Sequence, residues 1–167
     1  MTIIVLAMHG APPKDFPYPE LMEFFRLHMA LEQEAEKFPL PMQEKHDELN
    51  EKIRKWPRSH ENDPFWDASH RLAEELSRIT GNDVLVGFNE FCSPSIDETL
   101  EQAVLSGAQD IIVITPMMTP GGEHSEIDIP DSIKRAQERH ARVSFRYAWP
   151  FELTVVAKFL AEQLSNH

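Results

Sequence analysis

Four short apolar runs, separated by segments with helical patterns, constrain the fold of this chain more than any other feature of its sequence. The runs cover residues 2–8, 83–91, 110–118 and 142–149 and are rich in β-branched and other apolar residues. Strands that are apolar throughout and alternate with helices need crossover connections, which give a parallel sheet covered on both faces. The sequence therefore predicts an α/β fold: a doubly wound, mainly parallel four-stranded sheet flanked by helices.

Two of the intervening helices have clear boundary residues. Asp63 is placed to cap a helix that ends at Gly81, and either Ser93 or Ser95 is placed to cap a helix that ends at Gly107. Aspartate and serine accept hydrogen bonds from the free N–H groups of a first turn, and glycine adopts the left-handed backbone that follows a last turn. These signals support the alternation of strands and helices.

The length of 167 residues fits a single domain, which we assign to residues 1–167. Residues 19–57 do not follow the alternation, because apolar residues recur there at helical spacing on either side of two prolines. We interpret this segment as an inserted helical hairpin that covers a sheet face or forms a dimer contact, with a lid over an active site as the alternative. His28 and His46 fall on its apolar stripes, which favours a packed or partly buried role over metal binding.

Charge and cysteine content exclude several classes of function. The net charge is −12, and no basic stripe occurs along the chain, so nucleic acid is not an expected partner whereas cations are attracted. The first apolar run lacks a basic leader and is too short for a signal peptide or a membrane span. Cys92 is the only cysteine, which agrees with a reducing, cytoplasmic location and leaves His, Asp and Glu as the ligands for any metal.

Three candidate ligands follow the predicted strands. In open α/β sheets, ligands bind outside the carboxyl ends of the strands. His9 follows the first run, His124 lies beyond the third, and Glu90 ends the second. If the first and third strands are neighbours, both imidazoles project into one crevice beside Glu90. Two imidazoles and a carboxylate suit a borderline divalent cation such as Co²⁺, Fe²⁺, Ni²⁺ or Zn²⁺, so the sequence predicts a metal site at this edge.

The same residues carry a family resemblance. The strings MHGA, GFNEFCSPSIDETLEQAVLSGAQDIIVITPMM and above all GGEHSEIDIP resemble the class II tetrapyrrole metal chelatases, specifically the sirohydrochlorin cobaltochelatase and ferrochelatase group. The similarity covers roughly residues 2–10 and 63–165 and leaves the hairpin outside. The string in which Gly-Gly precedes histidine and Asp-Ile-Pro follows it is fairly specific, whereas the His-Gly pair is not.

The resemblance implies a metal chelatase, a lyase that inserts Co²⁺ or Fe²⁺ into sirohydrochlorin or a closely related tetrapyrrole without ATP, in cobalamin- or siroheme-type biosynthesis. It implies that His9 and His124 are catalytic, present the metal and accept protons, and that Glu90 is a third metal ligand; which histidine takes the proton stays open. The divalent metal, Co²⁺, Fe²⁺ or Ni²⁺, is then a substrate, and no tightly bound cofactor is expected. The chain resembles the short type, which commonly forms homodimers. Ala11 stands where the family usually has serine.

A flat, polyanionic macrocycle gives further residues an interpretation. Bare backbone at Gly121 and Gly122 leaves room for the ring and offers N–H groups to its carboxylates. Lys14 is a candidate partner for those carboxylates, and so is Arg146, for which a surface ion pair is the alternative. We interpret Asp128 as a structural residue that caps the following helix.

Two other classes of function remain open. The first is a metal- or tetrapyrrole-binding protein of the same fold without turnover, an alternative motivated by Ala11 and the inserted hairpin. The second is a metal-dependent hydrolase, which the lack of a nucleophile elbow or a phosphate-binding glycine loop disfavours. The sequence does not choose among cobalt, iron and nickel, because all three accept nitrogen and oxygen ligands.

Overall fold

A four-stranded sheet, parallel at every junction, forms the centre of the protein. The structure is a computed structural model that describes residues 1–34 and 37–165. Its strands lie in the order β2-β1-β3-β4, and their bounds are β1 (Thr2–Met8), β2 (Asp83–Phe88), β3 (Asp110–Ile114) and β4 (Ser144–Tyr147). The parallel doubly wound sheet is confirmed, and so is the pairing of the first and third strands.

The last three strands end before their apolar runs do. β3 stops two residues before Pro116, which lacks the N–H group that a further ladder bond would need. Beyond β2, the chain turns away from the sheet at Phe91, whose φ of 57° lies in the left-handed region. Apolarity therefore overestimated the length of β2 and β3, because the apolar runs continue into the partly buried loops that follow these strands.

The described residues form six helices: α1 (Tyr18–Glu34), α2 (Leu40–Arg54), α3 (Pro64–Thr80), α4 (Ile96–Leu105), α5 (Ile129–Arg139) and α6 (Leu153–Ser165). A π-helical turn, His124–Asp128, leads directly into α5. The predicted caps are present. Asp63 accepts a hydrogen bond from the backbone of Trp66, Gly81 is left-handed, and Ser95 forms a reciprocal capping box with Glu98.

The alternation of side chains along β1 divides the core between the two faces of the sheet. Ile3, Val5 and Ala7 pack with buried residues of α4 and α5. Leu6 and Met8 point to the opposite face, where α3 covers them. The central strand is therefore buried on both sides, and the ends of β1, β2 and β3 are held at one rigid edge.

The inserted segment is a helical hairpin, as predicted, with residues 35 and 36 outside the described part. Its apolar residues form a separate cluster that includes Phe24, Leu27, Leu49 and Ile53, and this cluster contacts the loop after β2 through Phe91. The described cluster contains no strand residue. The expectation that the hairpin covers a sheet face is therefore wrong: its apolar stripes pack against each other and against the loop that carries Glu90.

The C-terminal helix α6 differs from the others because none of its residues is buried. Large apolar side chains are exposed along it, namely Leu153, Val155, Phe159, Leu160 and Leu164. Among the described residues, no helix is both long enough and apolar enough to cross a membrane.

Candidate metal centre

Continued pairing of β1 with β2 places His9 beside Glu90. Beyond the strands, the backbone N–H of Asn89 still donates to the carbonyl of Met8 and that of Glu90 to the carbonyl of His9, each at 2.9 Å. Gly10 makes this approach possible, because its φ is +104° and a Cβ there would lie 1.9 Å from the carbonyl oxygen of Glu90. The glycine of the His-Gly pair is thus required by contact with the neighbouring loop.

The π-helical turn after β3 presents His124 to the same edge. Ser125 is fully buried, and its carbonyl accepts a hydrogen bond from the Tyr147 hydroxyl on β4 at 3.1 Å. Burial raises the pKa of Tyr147 well above its usual value, so this hydroxyl stays a donor at any physiological pH. Before the turn, Gly121 has a φ of +99° and its N–H donates to Glu126 at 2.8 Å.

His9, Glu90 and His124 converge as predicted. One ligand atom from each lies within 4.8 Å of the other two. The imidazole rings meet edge to face with their centroids 4.6 Å apart, and Nε2 of His124 lies 3.2 Å from Oε1 of Glu90. Two donors that each lie about 2.1 Å from a shared cation are separated by roughly 3 Å at tetrahedral or octahedral angles. The spacing of His124 and Glu90 therefore suits a shared divalent cation.

Hydrogen bonds fix which ring nitrogen of each histidine is free. Nδ1 of His9 lies 2.9 Å from the carbonyl oxygen of Gly10, and Nδ1 of His124 lies 2.5 Å from Oδ2 of Asp128. Both acceptors call for an N–H at Nδ1, which leaves Nε2 of each ring as the nitrogen available to a metal. An orienting carboxylate behind a metal-binding histidine is a common arrangement in metalloproteins.

The helix-capping role expected for Asp128 is therefore wrong. Its backbone is already helical, and its side chain makes no capping hydrogen bond. Instead, the helical path from residue 124 places His124 and Asp128 four residues apart on one face. The His-x-x-x-Asp spacing was the sequence signal that could have identified this pair.

A cleft of about 420 Å³ opens beside the ligands and is bounded on its far side by the hairpin. His28 of α1 and His46 of α2 both line it, joined by a hydrogen bond of 3.1 Å between Nδ1 and Nε2. Phe24 stacks on both rings. The packed role predicted for the two histidines is confirmed, since His46 is buried, and the hairpin is a wall of the candidate site.

The cleft is predominantly acidic. Its acidic lining residues are Glu32, Glu90, Asp97, Glu123, Asp128 and Asp131, against the cationic Arg54 and Arg135. Burial pushes the pKa of the Asp97 carboxyl upward, but hydrogen bonds from Arg135 and Ser132 outweigh it and hold that pKa below its usual value. A cation is therefore attracted to the site at neutral pH.

Two predicted substrate contacts lie elsewhere. Lys14 is exposed and does not line the described cleft, and Arg146 is paired with Asp110 at 3.0 Å on the surface of β4, the alternative left open for it. Gly121 and Gly122 are exposed at the start of the π-helical turn but outside the cleft lining. Their immediate roles are conformational, since Gly121 needs its positive φ and a Cβ at Gly122 would crowd Ser125 at 3.3 Å.

Comparisons with known proteins agree on one family. The CbiX family model matches residues 59–165, well over half of the chain. A sirohydrochlorin cobaltochelatase from Priestia megaterium is 41% identical over 63 residues, which cover 38% of this chain and 20% of that protein. A sirohydrochlorin ferrochelatase from the same organism is 33% identical over 66 residues, which cover 40% of this chain and 24% of that protein. The matched part thus spans about a quarter or less of these relatives.

One solved structure has a similar fold. A crystal structure described as a putative cobalamin (vitamin B12) biosynthesis CbiX protein from Marinobacter aquaeolei VT8 aligns over 100% of both chains with a TM-score of 0.54 and 17% identity. The matched family range includes Glu90 and His124, whereas His9 and the hairpin precede it. On the extent of the family match, the chain is a member of the CbiX family.

Proposed function

We propose that this protein inserts a divalent metal, Co²⁺ or Fe²⁺, into sirohydrochlorin or a closely related tetrapyrrole without ATP, as a metal chelatase of cobalamin- or siroheme-type biosynthesis. The observation that carries the proposal is the convergence of His9, Glu90 and His124 at one edge of the sheet. The names of the sirohydrochlorin cobaltochelatase and ferrochelatase relatives give the substrate and the metals. Ni²⁺ suits the same ligands.

The chemistry needs a site that holds a cation and then releases it. Insertion requires the metal to lose its ligands while two pyrrole N–H groups of the macrocycle lose protons. Three ligands of nitrogen and oxygen, with no thiolate, bind such a cation and leave coordination positions open to the macrocycle. Each imidazole that releases the metal regains a lone pair that can take a proton, so His9 and His124 can serve both steps.

The cleft beside the ligands is the proposed place for the macrocycle. His124 and Glu90 line this cleft, so a macrocycle bound there would have its ring nitrogens next to two of the three proposed ligands. The bare backbone at Gly121 and Gly122 lies at its margin, where it admits the edge of the ring. Lys14 would meet a macrocycle carboxylate only if the ring extends beyond the cleft lining.

The test is a metallation assay with purified protein, sirohydrochlorin and Co²⁺, Fe²⁺ or Ni²⁺ at equal free concentration. Metallation changes the absorption spectrum of the macrocycle, and the protein should accelerate this change over the uncatalysed rate. His9→Ala, His124→Ala and Glu90→Gln should each remove most of the acceleration. An unchanged rate in all three variants would refute the assignment of the site.

The same assay distinguishes the alternative, a metal- or tetrapyrrole-binding protein without turnover. That protein would bind Co²⁺ or sirohydrochlorin, with affinity lost in the same variants, but would not exceed the uncatalysed rate. Ala11 motivates this alternative, because it supplies no hydroxyl next to His9 and Gly10.

The proposal includes a homodimer in the cytoplasm. The exposed apolar residues of α6, including Phe159 and Leu160, support association of two copies, since contiguous exposed apolar surface commonly marks an interface. Cys92 is buried and free, in keeping with a reducing compartment. Light scattering of the purified protein measures the dimer directly.

A further inference from the structure

The end of the inserted hairpin holds the loop that carries Glu90. Arg54, the last residue of α2, donates from Nη2 to the carbonyl of Asn89 at 2.6 Å and from Nη1 to the carbonyl of Cys92 at 2.8 Å. These two carbonyls flank Glu90 in the chain. One guanidinium therefore bridges the loop on both sides of the metal ligand.

Arg58, four residues further on, extends the same contact. Its terminal nitrogens donate to the carbonyl of Phe91 and, at 2.7 Å, to that of Ala11, so it joins the loop after β2 to the loop after β1. It also pairs with Asp63 at 2.6 Å, and both side chains are almost fully buried, with 6% and 1% exposed.

The loop between these contacts has a backbone that needs support. Phe91 has a φ of 57°, which is unfavourable for a residue with a Cβ. The carbonyls that face the arginines have no strand partner, and Glu90 presses against Gly10 on its other side. Bridging by a planar guanidinium fixes two carbonyls at once, which the point charge of a lysine does not do.

We propose that Arg54 is a positioning residue for the metal site, which acts through the backbone of the Glu90 loop, and that the inserted hairpin is therefore a functional part of the site. The inference rests on the proposed role of Glu90 as a metal ligand. Both terminal nitrogens of Arg54 are used by carbonyls, so its contribution is made through geometry. A misplaced ligand loses metal affinity, and outer residues that orient ligands commonly account for about 10-fold to 100-fold in that affinity.

Whether replacing Arg54 weakens or tightens Co²⁺ binding distinguishes a positioning role from a purely electrostatic one. Arg54 lines the cleft, so replacing it with a neutral residue removes a positive charge near the cation, and electrostatics alone would then tighten cation binding. Positioning predicts the opposite result. Arg54→Met should weaken Co²⁺ binding by about 10-fold to 100-fold, and Arg54→Lys, which retains the charge, should weaken it too.

The experiment is a Co²⁺ titration of the full chain without tetrapyrrole, followed by the cobalt absorption spectrum, for wild type, Arg54→Met, Glu90→Gln and the double variant. If Arg54 acts through Glu90, the double variant should bind no more weakly than Glu90→Gln alone. Guanidinium added to Arg54→Ala should restore part of the affinity. Arg78→Met, which removes an exposed arginine of α3 paired with Glu75, is the matched control and should bind Co²⁺ as wild type does.

The outcomes are distinct. Wild-type affinity in Arg54→Met, with weakened binding in Glu90→Gln, would overturn the positioning role and leave the metal site intact. Losses that multiply in the double variant would also overturn it, since they would show that Arg54 acts independently of Glu90. Unchanged binding in Glu90→Gln would remove the ligand assignment itself and this inference with it.

Discussion

Replacing Gly10 with alanine tests the geometry of the proposed site most directly. The new Cβ would lie 1.9 Å from the carbonyl oxygen of Glu90, whereas real Cβ contacts are essentially never closer than 3.0 Å. The His9 and Glu90 segments must therefore move apart by at least about 1.1 Å, the difference between these two distances. Metal–ligand distances tolerate only about 0.2 Å of error, so we expect Glu90 and the histidines to bind one cation much more weakly after that shift.

We expect Gly10→Ala to weaken Co²⁺ binding by at least about 100-fold, which corresponds to about 2.8 kcal/mol at 1.4 kcal/mol per factor of ten. It should also lower the free energy of unfolding, because alanine at a φ of +104° is strained by about 1–2 kcal/mol before the clash is counted. Isothermal titration with Co²⁺ measures the first effect and urea unfolding the second.

Gly107→Ala is the matched control. Gly107 has a φ of +87°, and a Cβ there would meet nothing within 4 Å. This variant should show the backbone strain with no loss of Co²⁺ affinity. The reasoning would be refuted if Gly10→Ala bound Co²⁺ within about threefold of wild type, or if both variants lost affinity equally.

Three further results are expected. Asp128→Asn should weaken Co²⁺ binding by about 10-fold to 100-fold, because it removes the carboxylate that orients His124. Glu138→Gln, an exposed residue of α5 outside the cleft lining, should not weaken binding, and titration compares the two. The pKa of Asp97 in the folded protein lies below its usual 3.8, so the ionised carboxylate stabilises the fold fully above pH 3.8. This contribution is lost as the pH falls through the lower pKa of the folded protein, and the melting temperatures of wild type and Asp97→Asn should therefore converge on acidification. Phe159→Asp, on exposed α6, should convert the proposed dimer to a monomer, as measured by light scattering. The secondary structure of this variant, measured by circular dichroism, should stay that of wild type.

The sheet and the convergence of the candidate metal ligands could be predicted because their signals are local and their assembly is governed by topology. Apolar runs define strands, alternation with helices makes them parallel, and parallel strands present their carboxyl ends at one edge. Once β1 and β3 are neighbours, His9 and His124 must approach each other, and Glu90 follows from the strand on the other side of β1. No side-chain packing had to be known for that step.

Asp128 and the arginines show where this reasoning stops. Asp128 stands just before a helix with proline in its first turn, which is where capping residues occur, and only the π-helical turn reveals that the chain is already helical there. Arg54 and Arg58 carry no motif. Apart from the pair of Arg58 with Asp63, their partners are backbone carbonyls, which every residue has. Such contacts depend on the path of the loop and not on residue type.

The hairpin, in contrast, could have been placed from topology. The chain leaves β1 at the carboxyl edge of the sheet, and it must return to that edge to begin α3, which runs back along the sheet before β2. Any segment inserted between β1 and α3 is therefore rooted at the edge where the strands present their ligands, next to the loop that follows β2. Helical periodicity indicates only that the inserted helices need apolar partners. The order of the elements indicates where those partners lie, and for residues 19–57 that place is beside Glu90, outside the matched family range yet in contact with the site.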